Sequence, residues 1–181
     1  MEQLLEDTIP QAQKNREETP GNENRSFKLQ RATSRRLALQ LLFAIELTDT
    51  WNAPLNLTEE IFDLISEESA EGLSHTVLRK SWSRSRKLVA GIAENRQELD
   101  EMIVAAAKNW TIQRINEVDR NLIRLATYEM KYATPTVSAG IAINEAVELA
   151  KIFGQKDSWR FVNGVLDQIR KAIQQAPLTF G

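Results

Sequence analysis

The sequence predicts an all-α bundle, and three observations predict it. From about residue 27 onward, apolar residues recur with the 3.6-residue period of a helix. No stretch alternates β-branched and polar residues between turn signals, so strands have no support. Glycine occurs only seven times in 181 residues, too sparsely for the many tight turns of a sheet protein. A 42% apolar and 27% charged composition suits a chain that buries a core in water.

The elements follow in order. Residues 1–25 hold six acids against three bases, with Pro10, Pro20 and Gly21, and "NREETPGNEN" offers nothing to bury. This segment reads as a flexible acidic tail. "FKLQRATSRRLALQLLFAIEL" is a long helix. "LTEEIFDLISEES" is a second, with Thr58 placed as N-cap and acids in its first turn. "TDTWNAPLN" is a loop, and "SAEGLSHTVLRKSWSRSRK" passes from loop into helix. Residues 78–107 are helical with a break near Asn95. "VDRNLIRLATYEMKY" is a helix that ends before Pro135. Residues 143–169, "INEAVELAKIFGQKDSWRFVNGVLDQI", form a helical hairpin. The helical domain thus spans 26–176, and 177–181 is a short C-terminal tail.

In the hairpin, Ile143, Ala146, Val147, Ala150 and Phe153 define the apolar stripe of the first arm. Gly154 ends that arm with its permissive φ. Asp157 or Ser158 caps the second arm, whose stripe is Phe161, Val162, Val165, Leu166 and Ile169. Gly164 sits inside a helix at a cost of about 1 kcal/mol against alanine, which suggests a close helix–helix approach. Asn144 and Asn163 lie near the buried faces and are expected to bond between helices.

Little here suits catalysis. Cysteine is absent, which excludes thiolate nucleophiles, disulfides and thiolate metal sites. His75 is the only histidine, and no glycine-rich phosphate loop is present. The remaining Asp and Glu are the ordinary content of solvated helix faces. A binding protein or scaffold is therefore expected, with no enzyme activity, cofactor or metal. No apolar run approaches the roughly 20 residues that span a bilayer, and the N-terminus lacks the pattern of a signal peptide. A cytoplasmic protein with no membrane contact is the expectation. The net charge of −2 means that any nucleic-acid surface must be local.

The first helix supplies such a surface. Leu37, Ala38, Leu41, Leu42 and Ile45 fall on one arc at 100° per residue and form the core stripe. Lys28, Arg31, Arg35 and Arg36 fall on another arc, free of acids. Leu39 and Phe43 project with them. Cations that neutralise phosphates beside a ring that stacks on an unpaired base suit single-stranded RNA. A solvated basic face whose Phe43 packs on a neighbour is the commoner origin of such a pattern. Arg79, Lys80, Arg84, Arg86 and Lys87 form a second basic cluster, with no acid between Glu71 and Glu94. It either extends that surface or offsets the acidic tail. Trp110 and Arg114, spaced i, i+4, read as a protein interface or as a corner that closes the bundle.

The blocks "RRLALQLLFAIE", "VDRNLIRLATYEM", "INEAVELAKIFG" and "KDSWRFVNGVLDQI" together resemble the NusB family of transcription antitermination factors, over about residues 28–174. The resemblance implies a compact bundle of about seven helices in two packed helical subdomains. It also implies a function. NusB proteins are not enzymes. With the ribosomal protein NusE they bind boxA RNA in leader transcripts, notably of ribosomal RNA operons, as part of an RNA polymerase antitermination complex.

Carried over residue by residue, the RNA surface falls on Arg31, Arg35, Arg36, Gln40 and Phe43, with Asp157 and Phe161 from the hairpin; Lys28 joins it from the basic arc read on the wheel. Trp110, Arg114 and Asp119 fall on the NusE side. Family members occur as monomers or dimers, so a homodimer is among the expected forms. Two alternatives stand beside this reading. One is a helical protein–protein scaffold. The other is a NusB-like RNA-binding domain related to those of RNA methyltransferases, which append a catalytic domain not found within these residues.

This sequence departs from the family pattern in a longer N-terminal tail and a longer 49–80 region. About three extra residues separate Pro135 from Asn144. Ala32 and Thr33 stand where other members carry more arginine, so weak RNA affinity is expected without a partner.

Overall fold

The structure, a computed structural model, describes residues 20–51, 62, 73–108, 110–133 and 136–175. Among them are six helices: α1 (Pro20–Thr48), α2 (His75–Glu94), α3 (Arg96–Ala106), α4 (Glu117–Tyr132), α5 (Ala139–Phe153) and α6 (Ser158–Gln175). A 3-10 turn, Ile112–Arg114, precedes α4, and no described residue is in a strand. The expected helix over 57–69 lies outside the described residues except for Phe62, which is helical and buried. The tail's residues 1–19 and the C-terminal 177–181 also lie outside them.

Local chemistry sets the helix ends. Ser74, Asn116 and Ser138 precede α2, α4 and α5, and each accepts a backbone N–H of the first turn: Val77, Val118 and Ile141. Asn95 separates α2 from α3 as its position suggests, donating its side-chain amide to the Gly91 carbonyl at 2.7 Å. α1 starts at Pro20 rather than near residue 27. Proline suits a first helical position, where its missing N–H has no partner to lose. Residues 24–29 are exposed, so this part of the helix leaves no apolar stripe in the sequence.

The core divides in two. Ala38, Leu41, Leu42 and Ile45 of α1 pack with Phe62, with Leu78, Trp82, Leu88, Val89 and Ile92 of α2, and with Leu99 of α3. The second cluster joins Leu122, Ile123, Ala126 and Met130 of α4 to the buried faces of α5 and α6. α1 and α4 belong to both: Leu39 enters the second cluster and Leu125 the first. Leu39, 3% exposed, therefore does not project with the basic face as the wheel suggested. A wheel assumes one buried face, whereas α1 has a core on either side.

Ion pairs lace α1 antiparallel to α4. Arg35 Nε lies 2.7 Å from Glu129 Oε2 near one end, and Arg120 Nη2 lies 2.7 Å from Glu46 Oε1 near the other. Arg124 also pairs with Glu46, and with Asp100 of α3 at 2.6 Å.

The hairpin packs differently from its expected pattern. α5 buries Ala142, Ala146, Leu149 and Ala150, while Ile143 and Val147 are half-buried and Phe153 is exposed. Asn144 and Asn163 are exposed, not satisfied between helices. Gly164 is exposed too, and a Cβ there would meet nothing within 4 Å, so no close approach requires it. The close approaches are elsewhere. A Cβ on Gly154 would lie 2.5 Å from the Ala150 carbonyl and 2.6 Å from the Ser158 Cβ. Position 154 therefore takes glycine for lack of room and not for a left-handed φ, which is −81°. Gly91 lets the Tyr128 ring of α4 cross α2, where a Cβ would fall 2.0 Å from the Tyr128 hydroxyl.

Candidate nucleic-acid interface

α1 presents its basic residues in three environments. Lys28 is exposed near the helix start. Arg31 is half-buried, with Nη1 donating to the Thr136 carbonyl at 3.0 Å and its guanidinium 4.7 Å from the Phe27 ring centre. Burial, then repulsion from Arg84 and Arg35, holds its pKa below the usual arginine value. Arg35 is 3% exposed: Nε donates to Glu129, and Nη1 donates to Glu145 of α5 at 3.3 Å. Its charge ties α1 to α4 and α5 and does not face solvent.

Arg36 and Gln40 follow one turn apart, both half-buried and without an ion pair among the described residues. Arg36 Nε and Gln40 Oε1 are shielded from water and bond to nothing. Such groups are costly to leave unpaired. Phe43, a turn beyond Leu39, is exposed at 36%. Phe27, exposed at 53% under Arg31, is a second ring on this helix that the sequence reading passed over. Its i, i+4 spacing from Arg31 was the available signal.

The start of α6 and the C-terminal end of α1 both meet the first turn of α4. Ser158 Oγ donates to Asp119 Oδ2 at 2.9 Å, and the adjacent Arg120 pairs with Glu46, one turn beyond Phe43. The first turn of α4 therefore holds both. Asp157 is exposed with a left-handed φ of 68°, and its carboxylate accepts from Arg160 at 2.6 Å. Phe161 is half-buried, its ring centre 5.7 Å from that of Trp110.

Of the three residues expected on the partner side, Trp110 and Arg114 are exposed. Asp119 is 7% exposed and lies behind them, with Oδ1 unpartnered. Burial raises its pKa, and the Ser158 hydrogen bond opposes that shift. The aromatic contact makes the two expected surfaces continuous.

No group of three or more His, Cys, Asp or Glu is placed to hold a metal among the described residues. No helix among them is long and apolar enough to cross a membrane.

The model described as the NusB family matches residues 32–171. The chain is 38% identical over 144 residues to the transcription antitermination protein NusB of Bdellovibrio bacteriovorus, covering 78% of this chain and 96% of that protein. It is 38% identical over 148 residues to that of Bacillus subtilis, covering 82% of this chain and 100% of that protein. Among solved structures it is similar to NusB from Aquifex aeolicus, with a TM-score of 0.62, 27% identity, and coverage of 81% of this chain and 92% of that one. It is also similar to a chain of the antitermination factors NusB and NusE in complex with double-stranded RNA. There the TM-score is 0.60 at 25% identity, covering 79% of this chain and 97% of that chain.

Proposed function

The chain belongs to the NusB family, and from that premise we propose that it is a cytoplasmic transcription antitermination factor. It binds boxA RNA together with ribosomal protein NusE, joins the RNA polymerase antitermination complex, and supports transcription of ribosomal RNA operons. It acts by binding, not by catalysis.

One observation carries this reading. Exposed Lys28 and Phe43, with half-buried Arg31, Arg36 and Gln40 between them, run along α1 to the point where α4 docks the start of α6. Cations there neutralise phosphates, and Phe43 stacks on a base. Arg36 and Gln40 meet the RNA through their accessible atoms. Arg35 acts as a positioning residue through Glu129 and Glu145. Asp157 and Phe161 border the RNA. Trp110 and Arg114 meet NusE, with Asp119 setting the Ser158 end of α6 behind them. A relative of this fold solved with NusE and RNA supports the pairing.

Fluorescence anisotropy with labelled boxA RNA and a scrambled RNA, with and without NusE, tests the proposal. Preference for boxA that strengthens with NusE is expected. Equal binding of both RNAs with NusE present would reject it.

A further inference from the structure

A groove of about 450 Å³ opens between α1, α2 and α4, away from the Phe43 end of α1. Its walls carry Gln30 of α1, Lys80, Arg84 and Lys87 of α2, and Tyr128 and Tyr132 of α4, with no carboxylate among the lining residues described. We propose that this groove binds the phosphodiester backbone of RNA that continues past the α1 surface. The proposal rests on the RNA-binding reading of α1 and adds a second contact region to it.

Spacing is the first argument. Lys80, Arg84 and Lys87 stand at i, i+4 and i+7, so one face of α2 presents three cations over a rise of about 10 Å. Lys80 and Lys87 are exposed and have no ion pair among the described residues. Arg84 gives Nη2 to Glu129 Oε1 at 2.9 Å, while its Nε is shielded from water and unpartnered. Glu129 is shared by Arg84 and Arg35, and Arg35 also pairs with Glu145, so the two arginines are matched by two carboxylates and the unmatched charge of the groove is that of Lys80 and Lys87. A phosphate is the anion that such a cluster lacks.

The aromatic wall is the second argument. The Tyr128 and Tyr132 ring centres are 5.1 Å apart, and Tyr132 is 41% exposed. Glu98 accepts the Tyr132 hydroxyl and pins that ring from outside the groove. Cations opposite a fixed ring suit an unstacked nucleotide, whose base takes the ring and whose phosphate takes the lysines. An acidic protein segment would use the cations and leave the ring without a role.

Continuity is the third. Gln30 lines the groove and Arg31 follows it on α1; Arg84 acts electrostatically on Arg31. The groove and the basic start of α1 therefore adjoin, with the Glu129 carboxylate buried between Arg84 and Arg35. Of the second basic cluster in the sequence, Lys80, Arg84 and Lys87 face this groove, whereas Arg79 lies 4.7 Å from the Phe62 ring.

The test uses the full chain with NusE and three labelled single-stranded RNAs: boxA alone, and boxA extended at its 5′ or its 3′ end. Wild type is expected to bind one extended RNA more tightly than boxA alone. The exposed double variant Lys80→Gln/Lys87→Gln should remove that gain, about tenfold near physiological salt, and lower the slope of log affinity against log salt by about 1.4. Its affinity for boxA alone should not change. The groove proposal is overturned if wild type binds boxA but gains nothing from either extension. It is also overturned if the double variant keeps the full gain from the extension, or if it loses NusE and weakens boxA alone as much as the extended RNA, which would make the groove a protein site. Failure of wild type to prefer boxA would instead remove the α1 reading, and the groove proposal with it.

Discussion

Arg35 and Arg36 are adjacent in sequence, yet their side chains do different work. Arg35 is buried against Glu129 and Glu145, and removing one partner of a buried pair leaves an uncompensated charge. Arg35→Ala should therefore destabilise the fold by about 3 kcal/mol, the low end for such losses because Arg84 still holds Glu129. The urea midpoint reads this, and any loss of RNA binding should accompany it. Arg36→Ala should instead leave the midpoint nearly unchanged. It should weaken boxA binding about fourfold near physiological salt, the value of one phosphate contact on a single strand. Phe43→Ala should cost about 1–3 kcal/mol of binding, the range for losing one base stack.

Asp119 makes a prediction in pH. Burial raises its pKa in the folded chain above the ordinary carboxylate value. The folded state then holds a proton that the unfolded state releases. Stability from this group is greatest at acid pH and falls as pH rises from the ordinary value through the raised one. Above that window the buried charge is a standing cost. Asp119→Asn keeps an acceptor for the Ser158 hydroxyl and removes the charge. It should raise Tm at neutral pH and flatten the acid side of the stability profile. A lower Tm at neutral pH would reject this account.

At the scale of the element, the two glycines of the hairpin should respond in opposite directions. A Cβ at Gly154 collides with the Ala150 carbonyl and the Ser158 Cβ, and the carbonyl belongs to backbone that cannot swing aside. Gly154→Ala should destabilise by about 1–3 kcal/mol, as overpacking does. Gly164 has open space in an exposed part of α6, so Gly164→Ala should stabilise by about 1 kcal/mol through helix propensity alone. Thermal unfolding of the two variants checks both signs. The pair also marks what an element can disclose by itself. The turn between α5 and α6 was legible from Gly154, while the side chains of Asp157 and Ser158, expected as a cap, bond instead to Arg160 and Asp119. The reason for each glycine was not legible, because crowding depends on atoms that the turn brings together.

Across the whole molecule, α1 and α4 form a shared wall between two cores, and the charged pairs along that wall fix their register. This arrangement explains which residues could be read in advance. The helices, their breaks at Asn95 and Gly154, and the Ala38–Leu41–Leu42–Ile45 stripe follow from periodicity and capping, which act within a few residues. Leu39 and Arg35 could not be placed the same way. On a wheel they belong to the outer arc, yet a second core lies against that arc. Phe27 escaped notice because a ring outside the apolar stripe carries no periodic signal.

By itself the sequence determined the all-α class, the breaks at Asn95 and Gly154 and, through four blocks of residues, the family. Those depend on local spacing, which a linear chain displays. Only the tertiary structure decided that Arg35 is a buried strut and that Arg36 has no ion pair among the described residues. It also decided that Lys80, Arg84 and Lys87 share a groove with Tyr128 and Tyr132. The physical reason is the same in both cases. The role of a charge depends on what lies opposite it, and Glu129, Glu145 and the tyrosines reach these cations from helices distant in the chain.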